Sequence, residues 1–282
     1  YSNCNAAQSV LDVLSGRSAY GAGAITLDGT PVTDRVMKKL KKRVAYVKQS
    51  DLFFGHLTVR DQLTYTAFLR MPSALPRARK VAEVERIIRT LRLGSCADTQ
   101  IYMISGGEKK RVNIGSELLT DPAIILLDEP TSGLDSTSAV ALIKILHALA
   151  RDEGKTIITS IHQPSSAVFF GFDKLMLLAD GNVVYFGTPA DSLEHVEKIG
   201  LECPAGYNAA DHLMDLLVVD SAIDEHDYGD DGDGGGGQER RLEAGALPRH
   251  PAAAAGGTTT KQKLIESWDA EAAAKHIEGE DA

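Results

Sequence analysis

The chain has 282 residues, 43% hydrophobic and 24% charged, enough to bury one α/β core and leave a tail. Its formal net charge of -9 argues against a nucleic-acid partner, because nucleic-acid binders present a basic face to phosphate. Three cysteines, Cys4, Cys96 and Cys203, stand far apart without metal-ligand spacing, as thiols in a reducing compartment do.

From the start of the chain, VLDVLSGR (Val10 to Arg17) has the pattern of a first helix after a phosphate-binding loop, so YSNCNAAQ before it should contain that loop. A working loop reads G-x-x-x-x-G-K-[ST], whose glycines let backbone N–H groups cradle phosphate while the Lys reaches the β and γ oxygens. YSNCNAAQ has none of these residues at those places. GRSAYG, Gly16 to Gly21, has the glycine spacing, but Ala22 follows in place of Lys and a strand comes next, so it is rejected. GAITLDG predicts a strand closed by a turn. MKKLKKR, Met37 to Arg43, reads as a solvated basic surface, with a localisation or nucleic-acid patch as the alternative. RVAYVKQ predicts a short buried strand running into a polar loop at Gln49.

Two stretches, RDQLTYTAFLRMP and RKVAEVERIIRTLRL, carry apolar residues at helical spacing, the first stopped by Pro72. GGEKKRVNIGSELLTDP then predicts a helix opened by glycines and closed before Pro122. AIILLDEP, with an apolar run of five, reads as a strand buried in a parallel sheet, and no apolar run approaches the roughly 18 residues of a membrane span. DSTSAVALIKILHALARDEG predicts a capped helix and KTIITSIHQP another buried strand, so helix and strand alternate as in βαβ units. FDKLMLLADGNVVYFG predicts two strands around a turn, and NAADHLMDLLV an amphipathic helix. After about Asp220 the chain turns acidic, then Gly-rich, then Ala/Pro-rich, and residues 221–260 are expected to form a disordered linker. KQKLIESWDAEAAAKHIEG predicts a short helix with Leu264, Ile265, Trp268 and Ala272 on one side, in need of a partner.

The chemistry concentrates in ISGGEKKRVNIGSELLTDPAIILLDEPTSGLDSTSA, Ile104 to Ala139. Asp128 and Glu129 stand at the carboxyl end of a buried parallel strand, where α/β proteins bind ligands. One acid can hold Mg²⁺ while its neighbour orients or deprotonates a water. A bare LLDE also suits a plain surface acid pair. Ser105, Gly106 and Gly107 open a helix whose N–H groups can face an anion. Ser132, Gly133 and Asp135 form a tight SGLD turn. His162 follows the next strand, where it either donates to phosphate or is structural, and Gln49 has an equally plain reading as a solvated loop residue.

In this order the pieces resemble the nucleotide-binding domain of ATP-binding cassette transporters: a Q-loop (Gln49), the signature ISGGE, Walker B ILLDE, the D-loop SGLD and an H-loop His162. The phrases DLFFGHLTVRDQLTYTAFLRMP, LLDEPTSGLDSTSA, IHQPSS, FDKLMLLADGNVVYFGTP and NAADHLMDL are similar to the G, or White-type, subfamily of half-transporters, over roughly Ser9 to Asp220. The resemblance implies an α/β fold, a P-loop NTPase-like cassette with a mostly parallel sheet core and a helical signature subdomain at about 55–120, within a domain of residues 1–220. It implies that Asp128 ligands Mg²⁺, Glu129 polarises the attacking water, and His162 contacts the γ-phosphate of ATP. Gln49 would touch the metal and relay to the membrane domain. Ser105, Gly106 and Gly107 would bind ATP held by a second cassette in a head-to-tail homo- or heterodimer, with Asp135 in the same nucleotide-facing set.

The subfamily carries its cassette ahead of a membrane domain in one polypeptide. This implies a place on the cytoplasmic face of a membrane, a chain cut short before that domain, and residues 261–282 as the approach to it; the missing initiator Met also suggests a piece of something longer. Against the family's loop, Cys4 and Ala6 stand where glycines belong, Ala7 at the lysine and Gln8 at the Mg-binding Ser or Thr; only Ser9 fits. Losing the lysine removes a contact worth about 1.5–3 kcal/mol and roughly 10²–10³ in rate. Three readings stand: an ATPase engine of an exporter whose authentic loop is absent from this sequence, a pseudo-ATPase that lends Ser105 to Gly107 to a competent partner, and a soluble cassette ATPase. The G-type phrases speak against the third.

Overall fold

The sequence predicts a phosphate-binding loop ahead of Val10, but the first described residues are helical. In a computed structural model, which describes residues 3–50, 53–204, 206–218 and 260–280, α1 runs over Asn3–Leu14. With no glycine before Gly16, and Ala and Gln among the better helix formers, nothing in Asn3 to Gln8 interrupts the i→i−4 ladder. Gly16 ends it at φ 68, a left-handed conformation that glycine adopts without strain, and the N–H groups of Gly16 and Arg17 return to the carbonyls of Val13 and Asp12.

Two compact units follow from the contacts, Tyr1–Asp173 and Lys174–Ala282. In the first, β1 (Thr26–Leu27) and β2 (Thr30–Pro31) pair antiparallel around Asp28 and Gly29. Both turn residues have positive φ, 49 and 73, as a two-residue hairpin requires. A short helix α2 (Asp34–Leu40) leads into β3 (Val44–Val47). Then come α3 (Val59–Arg70), which stops ahead of Pro72, and α4 (Arg77–Thr90) and α5 (Gly106–Leu118). The remaining elements are β4 (Ile124–Leu127), α6 (Ser136–Asp152), β5 (Thr156–Thr159) and a single turn α7 (Ser166–Phe169).

The three strands form a parallel sheet in the order β3-β4-β5, with Val47, Leu127 and Thr159 in register at the carboxyl ends. Alternate side chains leave a strand on opposite faces, and the two faces are covered differently. Ala45, Val47, Ile125 and Leu127 join the main core with Leu63, Ile87, Ile114 and Leu142 from the helices and Leu91 just past α4. Tyr46 and Leu126 meet Leu11 of α1 on the other side. Each sheet face thus has a helical layer, the arrangement that a parallel sheet needs to bury its apolar strands.

One expectation is corrected here: β5 is not buried, since Thr156 and Ile158 are exposed. Among the described residues it is an edge strand, with β4 on one side, and β4 is the strand of this sheet that has partners on both sides.

In the second unit, β6 (Leu175–Ala179) and β7 (Asn182–Gly187) pair antiparallel across Asp180 and Gly181, as the turn chemistry predicts. Thr188 caps α8 (Pro189–Lys198), accepting the Asp191 N–H with Pro189 in the first helical position, and α9 (Ala209–Val218) follows. The predicted terminal helix is α10 (Thr260–Glu280), and it has its partner: it lies against β7 and α9. Leu264 is 3% exposed, and Trp268 packs its ring 5.6 Å from that of Tyr185 and 5.8 Å from that of His195. Ala272 lies outside the residues whose side chains are described, and the expected linker falls almost wholly outside the described residues. Among the described residues no helix is long and apolar enough to cross a membrane.

Candidate functional site

The carboxyl ends of β3, β4 and β5 deliver three loops to one edge of the sheet, and the chain-order motifs sit on those loops. Gln49 is two residues past β3, Asp128 and Glu129 directly follow β4, and His162 is three residues past β5, exposed. The ladder continues one step beyond the strands: the Asp128 N–H donates to Val47 O at 3.0 Å and the Ser160 N–H to Leu127 O at 3.0 Å. The chain then turns sharply at Glu129, whose φ of 42 lies in the left-handed region that non-glycine residues rarely occupy. Gln163, after His162, has φ 44.

Side-chain contacts join these loops. Gln49 Nε2 donates to Glu129 Oε2 at 2.8 Å. Ser160 Oγ donates to Asp128 Oδ1 at 2.9 Å and accepts the Glu129 N–H at 3.0 Å. Lys110, only 4% exposed, reaches from α5 to donate its ammonium to Gln49 O at 2.9 Å. Sequence reasoning missed Ser160 and Lys110. A hydroxyl two residues before His162 was the available signal for the first; a lysine on the helix opened by Ser105 offered none.

The glycine-opened helix behaves as its sequence requires. The Glu108 N–H donates to Ser105 Oγ at 3.2 Å and the Ser105 N–H to Glu108 Oε2 at 2.8 Å, a complete capping box. Burial pushes the Glu108 carboxyl up, but bonds from the Ser105 N–H and hydroxyl outweigh it and hold the group below its usual range. Gly107 is needed for close approach: a Cβ there would stand 3.1 Å from Ser138 Cβ, and one at Gly106 would touch Leu134 at 3.7 Å. The SGLD turn, with Gly133 at φ 73, therefore lies directly beside the start of α5. Asp135 caps α6, accepting the Ser138 N–H at 3.0 Å, and its bonds from Ser138 keep the carboxyl below the ordinary range.

Ala6, Ala7, Gln8 and Ser9 are not brought into this network as a loop. They lie within α1, whose Leu11 packs beneath Tyr46 and Leu126. A continuous helix has no row of free N–H groups at these positions, so residues 6–9 do not fit a triphosphate as placed here. The edge does suit Mg²⁺, which takes one or two protein oxygens and completes its shell with phosphate and water. Asp128 and Gln49 supply that kind of donor set, and among the described residues no cluster of three or more His, Cys, Asp or Glu is assembled for a fully protein-bound metal. Tyr46, on the face of the sheet that meets α1, stays a neutral phenol: burial, with Asp128 and Asp12 nearby, pushes it up to about 12, and Arg17 lies 4.1 Å over the ring. A groove of about 500 Å³ lined by Glu83, Arg86, Asp121, Glu153 and Lys155 lies at the opposite edge, where β4 and β5 begin, and has no part in this site.

A parallel sheet that sets a Gln, an Asp–Glu pair and a His loop along one edge, beside a capped glycine-opened helix, has the fold of an ATP-binding cassette. The ABC transporter family matches residues 8–132, which include Gln49, Ser105 to Gly107, Asp128 and Glu129, and the ABC-2 type transporter family matches residues 162–227. The chain is 42% identical over 221 residues to protein white of Drosophila melanogaster, covering 74% of this chain and 32% of that protein. It is 44% identical over 214 residues to ABC transporter G family member 22 of Arabidopsis thaliana, covering 73% and 28%. It thus spans about a third of the length of the curated relatives it matches. Among solved structures, cbiO1 of Clostridium perfringens, part of the ABC transporter complex cbiONQ, aligns at 26% identity and TM-score 0.60 over 75% of this chain and 84% of that one. A dimeric ATP-binding cassette in a post-hydrolysis state with ADP and Pi shares the fold, at 21% identity and TM-score 0.53 over 64% and 80% of the two chains. The chain belongs to the ATP-binding cassette family, in its G, or White-type, branch.

Proposed function

We propose that this chain is the nucleotide-binding cassette of a G-type exporter, pairing head-to-tail with a second cassette around Mg-ATP and driving a membrane domain of the same full-length polypeptide from the cytoplasmic face. The observation that supports this best is the network Gln49–Glu129–Ser160–Asp128 at one sheet edge. A surface acid pair without a task has no need of a partner from each neighbouring loop. Asp128 would hold Mg²⁺, which offsets charge on the phosphates. Glu129 would accept a proton from, or orient, the attacking water, and His162 would donate to the γ-phosphate. Gln49 already touches Glu129, so its movement toward a metal would release that carboxylate for water. Ser105, Gly106 and Gly107 would face the γ-phosphate of ATP on the partner cassette, with Asp135 beside them.

A second reading has its own support. Because Ala6 to Gln8 lie in a helix and not in a phosphate loop, this chain could act mainly by lending its signature turn to a competent partner. The two readings separate in a full-length complex whose partner bears an intact loop. Ser105→Arg places a bulky cation against the partner's γ-phosphate and should reduce ATPase turnover by roughly 10²-fold or more under both readings. Glu129→Gln should do the same if this chain hydrolyses ATP, and should leave most turnover if it only lends its signature. If neither variant lowers turnover, the cassette reading itself is wrong.

A further inference from the structure

Ser160 makes two bonds that fix their own polarity. The Glu129 N–H can only donate, so it takes a lone pair of Ser160 Oγ at 3.0 Å. The hydroxyl hydrogen is then free for the one acceptor beside it, Asp128 Oδ1 at 2.9 Å. Ser160 is itself held in place, because its N–H continues the β4–β5 ladder onto Leu127 O at 3.0 Å. One side chain on β5's extension therefore binds both carboxylate residues on β4's extension.

Each bond has a distinct consequence. The first opposes a local strain: Glu129 stands at φ 42, where a non-glycine residue is uncomfortable, and an anchored N–H keeps the peptide from relaxing. That peptide conformation sends the Glu129 side chain toward Gln49 Nε2 at 2.8 Å. The second bond takes one lone pair of Asp128 Oδ1, which makes Oδ2 the better donor to a cation. We infer that Ser160 is a positioning residue for both acids, selecting the metal-facing oxygen of Asp128 and holding the left-handed turn at Glu129. This rests on the proposed function for its consequences in catalysis, but not for its geometry.

The experiment has two arms. In the 282-residue chain, amide hydrogen exchange at Glu129 is followed by NMR for wild type, Ser160→Ala and Ser160→Thr, without nucleotide. Ser160→Ala should speed Glu129 exchange about tenfold or more by removing its acceptor, while Ser160→Thr, which keeps the hydroxyl, should stay within about threefold of wild type. In the full-length complex with a partner cassette, ATPase is measured against Mg²⁺ at saturating ATP. Ser160→Ala should raise the half-saturating Mg²⁺ concentration and lower kcat, each by about tenfold, with Ser160→Thr restoring both. Unchanged exchange in Ser160→Ala, or a Ser160→Thr as impaired as Ser160→Ala, overturns the positioning role. Should altered exchange accompany unaltered Mg²⁺ dependence in a complex where Glu129→Gln of this chain lowers turnover about 10²-fold, the inference about the metal-facing oxygen is refuted and the cassette reading stands. A complex in which Ser105→Arg has no effect refutes the cassette reading and leaves the exchange arm to decide the geometry.

Discussion

Glu108 shows how a single carboxyl ties the start of a functional helix to pH. Its folded value lies below the ordinary 4.5, so the ionised group contributes stability that is fully present above pH 4.5 and is lost as pH falls through the lower, folded value. The group is partly solvated, which limits the contribution to less than about 1 kcal/mol. Amide exchange across Gly106 to Lys109 should therefore accelerate in wild type below pH 4.5, whereas Glu108→Ala, already without its half of the capping box, should exchange fast across the range with a flat pH response once intrinsic rates are divided out. An unchanged pH response in Glu108→Ala would contradict that assignment. At this scale the legible residues were those whose meaning is local: Asp128 and Glu129 after an apolar run, Ser105 three before Glu108, Asp135 three before Ser138. Ser160 and Lys110 were illegible because their partners lie 31, 32 and 61 positions away, and nothing in a serine or a lysine announces which distant carbonyl or carboxylate it will meet.

Helix packing around α5 is set by a glycine that no turn requires. A Cβ on Gly115 would stand 2.9 Å from Leu91 Cδ1, 3.1 Å from Ile87 Cγ2 and 3.3 Å from Leu63 Cδ2, all three of them fully buried. Their methyl groups have no solvent to move into, so overpacking should outweigh any gain in helix propensity. Gly115→Val is expected to lower stability by about 1–3 kcal/mol, read as a fall in the urea midpoint at constant slope, and a midpoint at or above wild type would contradict this packing. Elements were legible wherever periodicity and punctuation agreed, as in α3 before Pro72, α6 behind its Asp135 cap, and the β6–β7 hairpin at Asp180–Gly181. Two were not. KTIITSIHQP carries the apolar pair of a buried strand, but composition cannot tell a central strand from an edge one, and among the described residues β5 has a neighbour on one side only. The family's pattern puts a loop at Ala6 to Gln8, but Ala and Gln favour helix and no glycine interrupts them, and local preference prevails in α1.

For the whole molecule, the parallel order β3-β4-β5 brings three separate sequence motifs to one edge of the sheet. The docking of α10 shows what such motifs leave out. A helix with Leu264 and Trp268 on one side needs a partner, but that Trp268 lies against Tyr185 and His195 depends on where β7 and α8 place those two rings. On the proposed function, Gln49 and Asp128 would form the metal side of a Mg-ATP site whose phosphate loop residues 6–9, held in α1, do not supply. Titration calorimetry on this chain tests it most directly, comparing wild type, the triple variant Ala6→Gly, Ala7→Lys and Gln8→Thr, and that variant with Asp128→Asn added. Wild type should bind Mg-ATP weakly, the triple variant at least about tenfold more tightly, as a regained charge-assisted phosphate contact requires, and Asp128→Asn should remove most of the gain. Micromolar binding by wild type, or a gain indifferent to Asp128, would contradict the account.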